Sequence, residues 1–151
     1  MKPAAVLPSP APSRSWTWVR WILGAIFVVA GALKIAHPAD FYADILAYEV
    51  ALPDGLLRWV ALVLPWLEVS CGAAVLADFW VETAAILMAF MCLTFVLLLG
   101  QAVLRGLDLR CGCFGSADLG WLDHPVAALG RASLLLWGSL WLCSSAPGPT
   151  T

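Results

Sequence analysis

Two cysteines one residue apart carry the most specific chemistry in this sequence. They lie in Arg110-Cys111-Gly112-Cys113-Phe114-Gly115. A disulfide needs its Cα atoms roughly 4.4–6.8 Å apart. Residues i and i+2 meet that requirement only where the chain turns sharply between them, and Gly112 permits the turn. So small a ring is strained, and strained, exposed disulfides are the more oxidising and labile ones. Arg110, directly before the first sulfur, favours thiolate over thiol and makes Cys111 the preferred attacking sulfur. The pair closes almost no loop, so it has little to offer as a staple. Thiol–disulfide exchange is the chemistry that suits it best. Three other readings fit the same residues: a static disulfide, two thiolates for a metal, or two thiols without a role. For the metal, His124 is the nearby candidate ligand, and no second Cys or His pair stands at zinc spacing.

A second set of residues draws notice because of where it sits. Lys34, Glu68 and Arg131 each fall inside a long apolar stretch, and Gln101 is the strongly polar residue near the end of another. An ionisable group within a bilayer costs at least a few kcal/mol and by default marks a functional position. Lys34 shares a helix face with Gly24 and Gly31, and small residues on such a face let helices approach closely. It either points into a bundle or snorkels to the interface. Glu68 shares a face with Ala61, Pro65 and Gly72, about 12 residues into its helix and so near mid-membrane. It is a functional acid, a structural ion-pair partner, or a protonated acid bonded to a neighbour. Arg131 shares a face with Leu134 and Gly138.

The elements that position these residues follow from composition. The 151-residue chain is 62% hydrophobic and 12% charged, whereas soluble proteins average about 25% charged residues. The apolar residues gather into four blocks, each near the ~20 residues that cross a bilayer core. The sequence predicts an all-α, polytopic membrane protein, with one four-helix transmembrane domain over residues 16–143. The spans are expected at about 19–35, 56–77, 83–104 and 126–143. Residues 1–15, with prolines at 3, 8, 10 and 12, and residues 144–151 are expected to be disordered tails. The first block is too long for a typical signal-peptide core and is read as an uncleaved span. Pro65 is expected to kink the second span. Between the first two spans, Asp40–Tyr48 reads as a short amphipathic helix, either a lid or a simple cap. Phe41, Ile45 and Tyr48 lie on one face of it, Asp40 and Asp44 on another. The loop bearing the two cysteines, between the third and fourth spans, runs to roughly 20 residues, a length often associated with function.

Net charge is −2 and no basic cluster is present, which excludes a case for nucleic acid. The remaining cysteines, Cys71, Cys92 and Cys143, lie inside apolar blocks and read as small buried hydrophobes. Basic residues are balanced, with Lys2, Arg14 and Arg20 on the terminal side and Arg58, Arg105 and Arg110 on the loop side. The first helix usually dominates orientation, and its leading flank is basic while its trailing loop is acidic. Both termini are therefore expected in the cytoplasm and the Cys111–Cys113 loop outside it, where disulfides persist. In that arrangement Lys34, Gln101 and Arg131 lie beneath the loop. Glu68 lies deeper, within reach of a long basic side chain.

Taken together, several segments resemble the MauE (methylamine-utilisation) family within the wider DoxX-like group of four-helix membrane proteins. They are Gly31-Ala32-Leu33-Lys34, His37-Pro38 with Phe41, and Tyr48 followed by Leu52-Pro53. Next come Leu64-Pro65-Trp66-Leu67-Glu68 with Gly72, then Cys111-Gly112-Cys113-Phe114-Gly115, and finally Arg131 with Leu134-Leu135-Leu136. The resemblance covers residues 19–143. It implies a bundle similar to that of vitamin K epoxide reductase-like proteins, in the bacterial inner membrane. It also implies a part in maturing disulfide-rich methylamine dehydrogenase beside a thioredoxin-like partner. Cys111 and Cys113 would be the redox pair, and Lys34, Glu68 and Arg131 the intramembrane polar residues. A quinone is the candidate cofactor that the wider group brings in, and no second exposed cysteine pair is present to pass electrons to one.

The leading expectation is thus a membrane thiol–disulfide exchange protein acting on a periplasmic thioredoxin-like partner or a client. The alternatives are a non-catalytic subunit that anchors or assembles an oxidoreductase, and a quinone-coupled subunit.

Overall fold

A computed structural model describes residues 14–106 and 125–145. Among these residues the chain forms five helices: α1 Arg14–Ala36, α2 Pro38–Ala47, α3 Asp54–Leu76, α4 Val81–Leu104 and α5 Pro125–Ser144. The protein is all-α, and α1, α3, α4 and α5 are each long and apolar enough to cross a bilayer. The helices begin and end within a few residues of the expected spans. α1 opens earlier than expected, at Arg14. The expected tails over residues 1–13 and 146–151 lie outside the described residues.

The short helix α2 forms where the sequence predicts it. Pro38 occupies its first turn, where a missing N–H is harmless, and Asp40 sits near the positive end of the helix dipole. Phe41 and Tyr48 are buried as the amphipathic pattern requires. α3 runs through Pro65 without interruption. Between α3 and α4 the chain reverses in four residues, with Asp78 at φ 60° and Trp80 at φ 48°. Asp78 is held there by an ion pair with Arg20 of α1, whose side chain is buried.

The helices associate in two pairs. α1 packs chiefly on α3, and α4 chiefly on α5. Close approach of α1 to α3 depends on glycine. A Cβ at Gly31 would lie 2.7 Å from the Pro65 carbonyl oxygen and 3.0 Å from Glu68 Cβ. One at Gly72 would lie 2.8 Å from the Gly24 carbonyl oxygen. Small residues at such a crossing let membrane helices gain van der Waals contact that larger side chains would block. The faces expected from spacing are the ones buried: Gly24, Gly31 and Lys34 on α1, and Ala61, Pro65, Glu68 and Gly72 on α3.

The two pairs join firmly at the terminal end. There Leu23, Val75, Val81, Met88 and Leu142 form one apolar cluster with Trp16. A smaller cluster of Tyr48, Leu99, Ala102, Ala128 and Ala132 joins α4 and α5 to the chain after α2 at the opposite end. Large apolar side chains such as Trp18, Trp59, Trp66, Phe90, Leu97 and Trp137 cover the outer surface. That distribution suits a protein whose solvent is hydrocarbon.

Substituting Gly31→Leu should force α1 from α3 and lower stability by about 1–3 kcal/mol. A Gly100→Leu control meets nothing within 4 Å and should be close to neutral. Thermal unfolding of both variants in detergent checks the difference.

Candidate functional site

Lys34 and Glu68 meet at the α1–α3 crossing. The Lys34 ammonium donates to both oxygens of the Glu68 carboxylate, at 2.6 Å to Oε1 and 2.8 Å to Oε2. Both side chains are buried, at 7% and 9% exposure. The ring of Phe41, from α2, covers the ammonium at 5.1 Å. Lys34 thus faces the bundle and does not snorkel. Gly31, one turn before it, is the residue whose missing side chain lets the two backbones approach closely enough for the pair to form. An isolated charge at this depth would be strongly unfavourable, whereas a paired and hydrogen-bonded one is tolerated.

Beside this pair lies a chamber of about 600 Å³ between the two helix pairs, lined by all five helices. That size is within the range of small-molecule sites. Phe41, Asp44 and Ile45 of α2, with Tyr48 after it, line one part of it. Phe27, Ala30, Leu64, Met91, Phe95, Leu98 and Leu135 make most of its wall apolar. Among the described residues its charged lining is Lys34, Asp44, Glu68 and Arg131, two of each sign. Cys92 and Thr94 also line it. Val60, Phe90 and Leu134 line it too, yet are exposed on the outside of the bundle, at 36%, 67% and 70%.

The structure therefore gathers three of the expected polar residues, Lys34, Glu68 and Arg131, around one space. Gln101 stands apart. It lines a separate groove with Val96, Gly100, Arg105 and Leu129 on the outside of the α4–α5 pair. The expected single cluster of four residues is to that extent corrected, because α4 turns Gln101 away from the α1–α3 crossing. On α5, Arg131 and Leu134 border the chamber together, Leu134 at its exposed rim, and the buried side of the helix carries Ala128, Ala132, Ser139 and Leu142. Arg110, Cys111 and Cys113 lie outside the described residues.

Three chamber residues were not singled out from the sequence as site residues. Asp44 is half-buried and borders the chamber, although its spacing sets it on a different face of α2 from Phe41, Ile45 and Tyr48. Tyr48 is buried, with its ring edge-on to Phe95 at a centroid separation of 6.3 Å. Burial, and next the charge of Asp44, push the Tyr48 phenol above its usual range. Cys92 is buried as expected for an apolar residue, but it borders the chamber. Cys71 and Cys92 both belong to the packed apolar cluster, and nothing in local sequence marks Cys92 as the one that also borders the chamber.

A clamp holds α2 against α3 at the outer edge. The Tyr42 hydroxyl donates to Asp54, and Arg58 donates to the same carboxylate at 3.1 Å. The Arg58 guanidinium also lies over the Tyr42 ring at 5.7 Å. The i, i+4 spacing of Asp54 and Arg58 was visible in the sequence; their convergence on Tyr42 was not.

The fold and site define a polytopic helical membrane protein with a buried ion pair beside an intramembrane chamber. The family model for methylamine utilisation protein MauE matches residues 13–145, and the chain belongs to that family. The methylamine utilization protein MauE of Paracoccus denitrificans is 36% identical over 112 residues, which span 74% of this chain and 58% of that protein. The MauE of Methylorubrum extorquens is 30% identical over 135 residues, spanning 87% of this chain and 71% of that protein. No solved structure matches the chain.

Lys34→Met or Glu68→Leu alone should destabilise the protein by about 3–5 kcal/mol, because each leaves the opposite charge buried and uncompensated. The double variant should recover most of that loss. Unfolding of the four proteins in a double-mutant cycle measures the coupling. Alkaline titration provides a second check. Tyr48 holds its proton more tightly in the folded state, so its contribution to stability is present below the ordinary phenol range and is lost as pH rises above it. A Tyr48→Phe variant should lose less stability over that rise, as measured by unfolding across alkaline pH.

Proposed function

We propose that this protein is a membrane-embedded thiol–disulfide exchange protein of methylamine utilisation, with Cys111 and Cys113 as its redox pair. The observation that carries the reading is the position of the Cys-Gly-Cys segment in the connection between α4 and α5. That connection leaves Leu104 and returns at Pro125. Ala102 and Ala128, close to its two ends, pack with Tyr48 at the α2 end of the bundle. Both ends of the connection that carries the pair therefore lie on the side of the bundle where α2 and the chamber's polar residues lie. Cys71, Cys92 and Cys143 are free thiols within helices, Cys71 and Cys92 buried and Cys143 half-buried at the terminal end. The names of the relatives place them in methylamine utilisation, and we extend that setting to this chain.

The exchange is a two-electron step. One thiolate, by preference that of Cys111, attacks a disulfide sulfur of a thioredoxin-like partner or client and forms a mixed disulfide. The partner's other sulfur leaves as thiolate. The second cysteine then attacks the mixed disulfide, releases the reduced partner and closes the Cys111–Cys113 bond. The partner gains two electrons and the pair loses two, and the reverse reaction uses the same groups. With the termini cytoplasmic, the loop faces the periplasm of a bacterial inner membrane, where such partners work. Lys34, Glu68 and Arg131 support the bundle beneath it.

Thiol trapping with a membrane-impermeant alkylating reagent tests the reading in cells whose protein carries Cys71→Ala, Cys92→Ala and Cys143→Ala. The expected result is a mixture of oxidised and reduced pairs that shifts when a thioredoxin-like partner is deleted. A pair that stays fully oxidised whatever the partner overturns it. Changing both Cys111 and Cys113 to Ser should leave the protein inserted and abolish its activity.

A further inference from the structure

We infer that the chamber between the two helix pairs is a binding site for an electrically neutral, membrane-dissolved amphiphile, an apolar chain carrying a compact head that accepts hydrogen bonds. Three observations carry this inference, and none of them involves the exchange of thiols.

The first is the way in. Val60, Phe90 and Leu134 border the chamber and are also exposed on the surface that faces hydrocarbon. A guest arriving through that rim comes from the bilayer and must dissolve in it. The second is the wall. About 600 Å³ of mostly apolar lining is enough for a head and part of a chain, with the rest of the chain extending past Phe90 into lipid.

The third is charge. Among the described residues, Lys34 and Arg131 are matched by Asp44 and Glu68 around the same space. Lys34 and Glu68 already satisfy one another at 2.6 Å. A guest with a net charge would add an unmatched ion in a low-dielectric setting, at a cost of several kcal/mol. A neutral head adds none. At the polar end Lys34 and Arg131 have side chains that can donate and not accept, so a head that meets them must accept. A carbonyl oxygen is the simplest such group. Two kinds of membrane molecule carry this chemistry, a prenylated quinone and a neutral acylglycerol.

Cys92 makes the chamber measurable, because its thiol borders the space while that of Cys143 is at the other end of the bundle. The test uses the full chain in phosphatidylcholine nanodiscs. N-ethylmaleimide alkylation of Cys92 and Cys143 is followed by peptide mass spectrometry while a probe is titrated. The probes are decylubiquinone, monoolein and two charged counterparts, oleoylcholine and oleyl sulfate. The expected result is saturable slowing of Cys92 alkylation, at least fivefold, by one or both neutral probes, with Cys143 unchanged. Protection by decylubiquinone alone assigns the quinone, and protection by monoolein alone assigns the acylglycerol. Ala30→Phe, which fills the chamber from α1, should slow Cys92 in the absence of any probe. The proposal is overturned if neither neutral probe protects, or if a charged probe protects as well as a neutral one. Where Cys92 does not react in the probe-free protein, because a buried thiol yields little thiolate, retention of each probe by the purified nanodiscs is measured instead, and the absence of saturable retention of both neutral probes overturns the proposal. The wild-type measurements decide the matter even if the Ala30 variant does not fold.

Discussion

A lysine and a glutamate buried together in an apolar bundle set the terms for the rest of this molecule. Neither charge is tolerable alone at that depth, so α1 and α3 must hold one crossing point and one rotation about their axes. Gly31 brings the backbones together where Lys34 Nζ meets both Glu68 oxygens. Gly24 and Gly72 continue the same close contact toward the terminal end. The apolar pattern alone would leave the helices free to rotate, because lipid and apolar side chains are nearly equivalent surroundings. A buried ion pair is weak as a source of stability and strong as a determinant of register.

The second consequence concerns space. The α1–α3 pair and the α4–α5 pair close on each other at the terminal end, where Val75, Met88 and Leu142 are completely buried. Toward the other end they part, and α2 contributes to the gap through Phe41, Asp44 and Ile45. Phe41 does two things at once: it covers the Lys34 ammonium and borders the chamber. The clamp of Tyr42, Asp54 and Arg58 then fastens α2 to the first turn of α3. The short helix is thereby part of the ion-pair environment, beyond the simple cap that an interfacial helix would supply.

Much of this was legible from residue types. Four apolar blocks defined the spans, and the faces carrying Gly24, Gly31 and Lys34, or Pro65, Glu68 and Gly72, were readable because helical periodicity projects them to one side. The reach of a long basic side chain toward Glu68 followed from depth along the helices, without a choice between Lys34 and Arg131. Depth along its helix groups Gln101 with Lys34 and Arg131. Its rotation on α4 depends on packing against α5, and α4 is so uniformly apolar that its sequence scarcely marks one face as inner. On α5 the inner side is marked mostly by the small residues Ala128, Ala132 and Ser139, while the large Leu134 and Trp137 are exposed. In a membrane the large side chains can face lipid.

By itself, then, the sequence determined the class of the protein, the number of spans, the ionisable residues that must find partners, and the unusual Cys-Gly-Cys chemistry. These depend on composition and on periodicity along one chain. Tertiary structure alone decided that Lys34 pairs with Glu68, that Cys92 and Tyr48 border the same chamber as Arg131, and that Gln101 does not. Those outcomes depend on how the two helix pairs rotate and splay against each other. That rotation is set by contacts between residues far apart in the chain, above all the buried charge pair between α1 and α3.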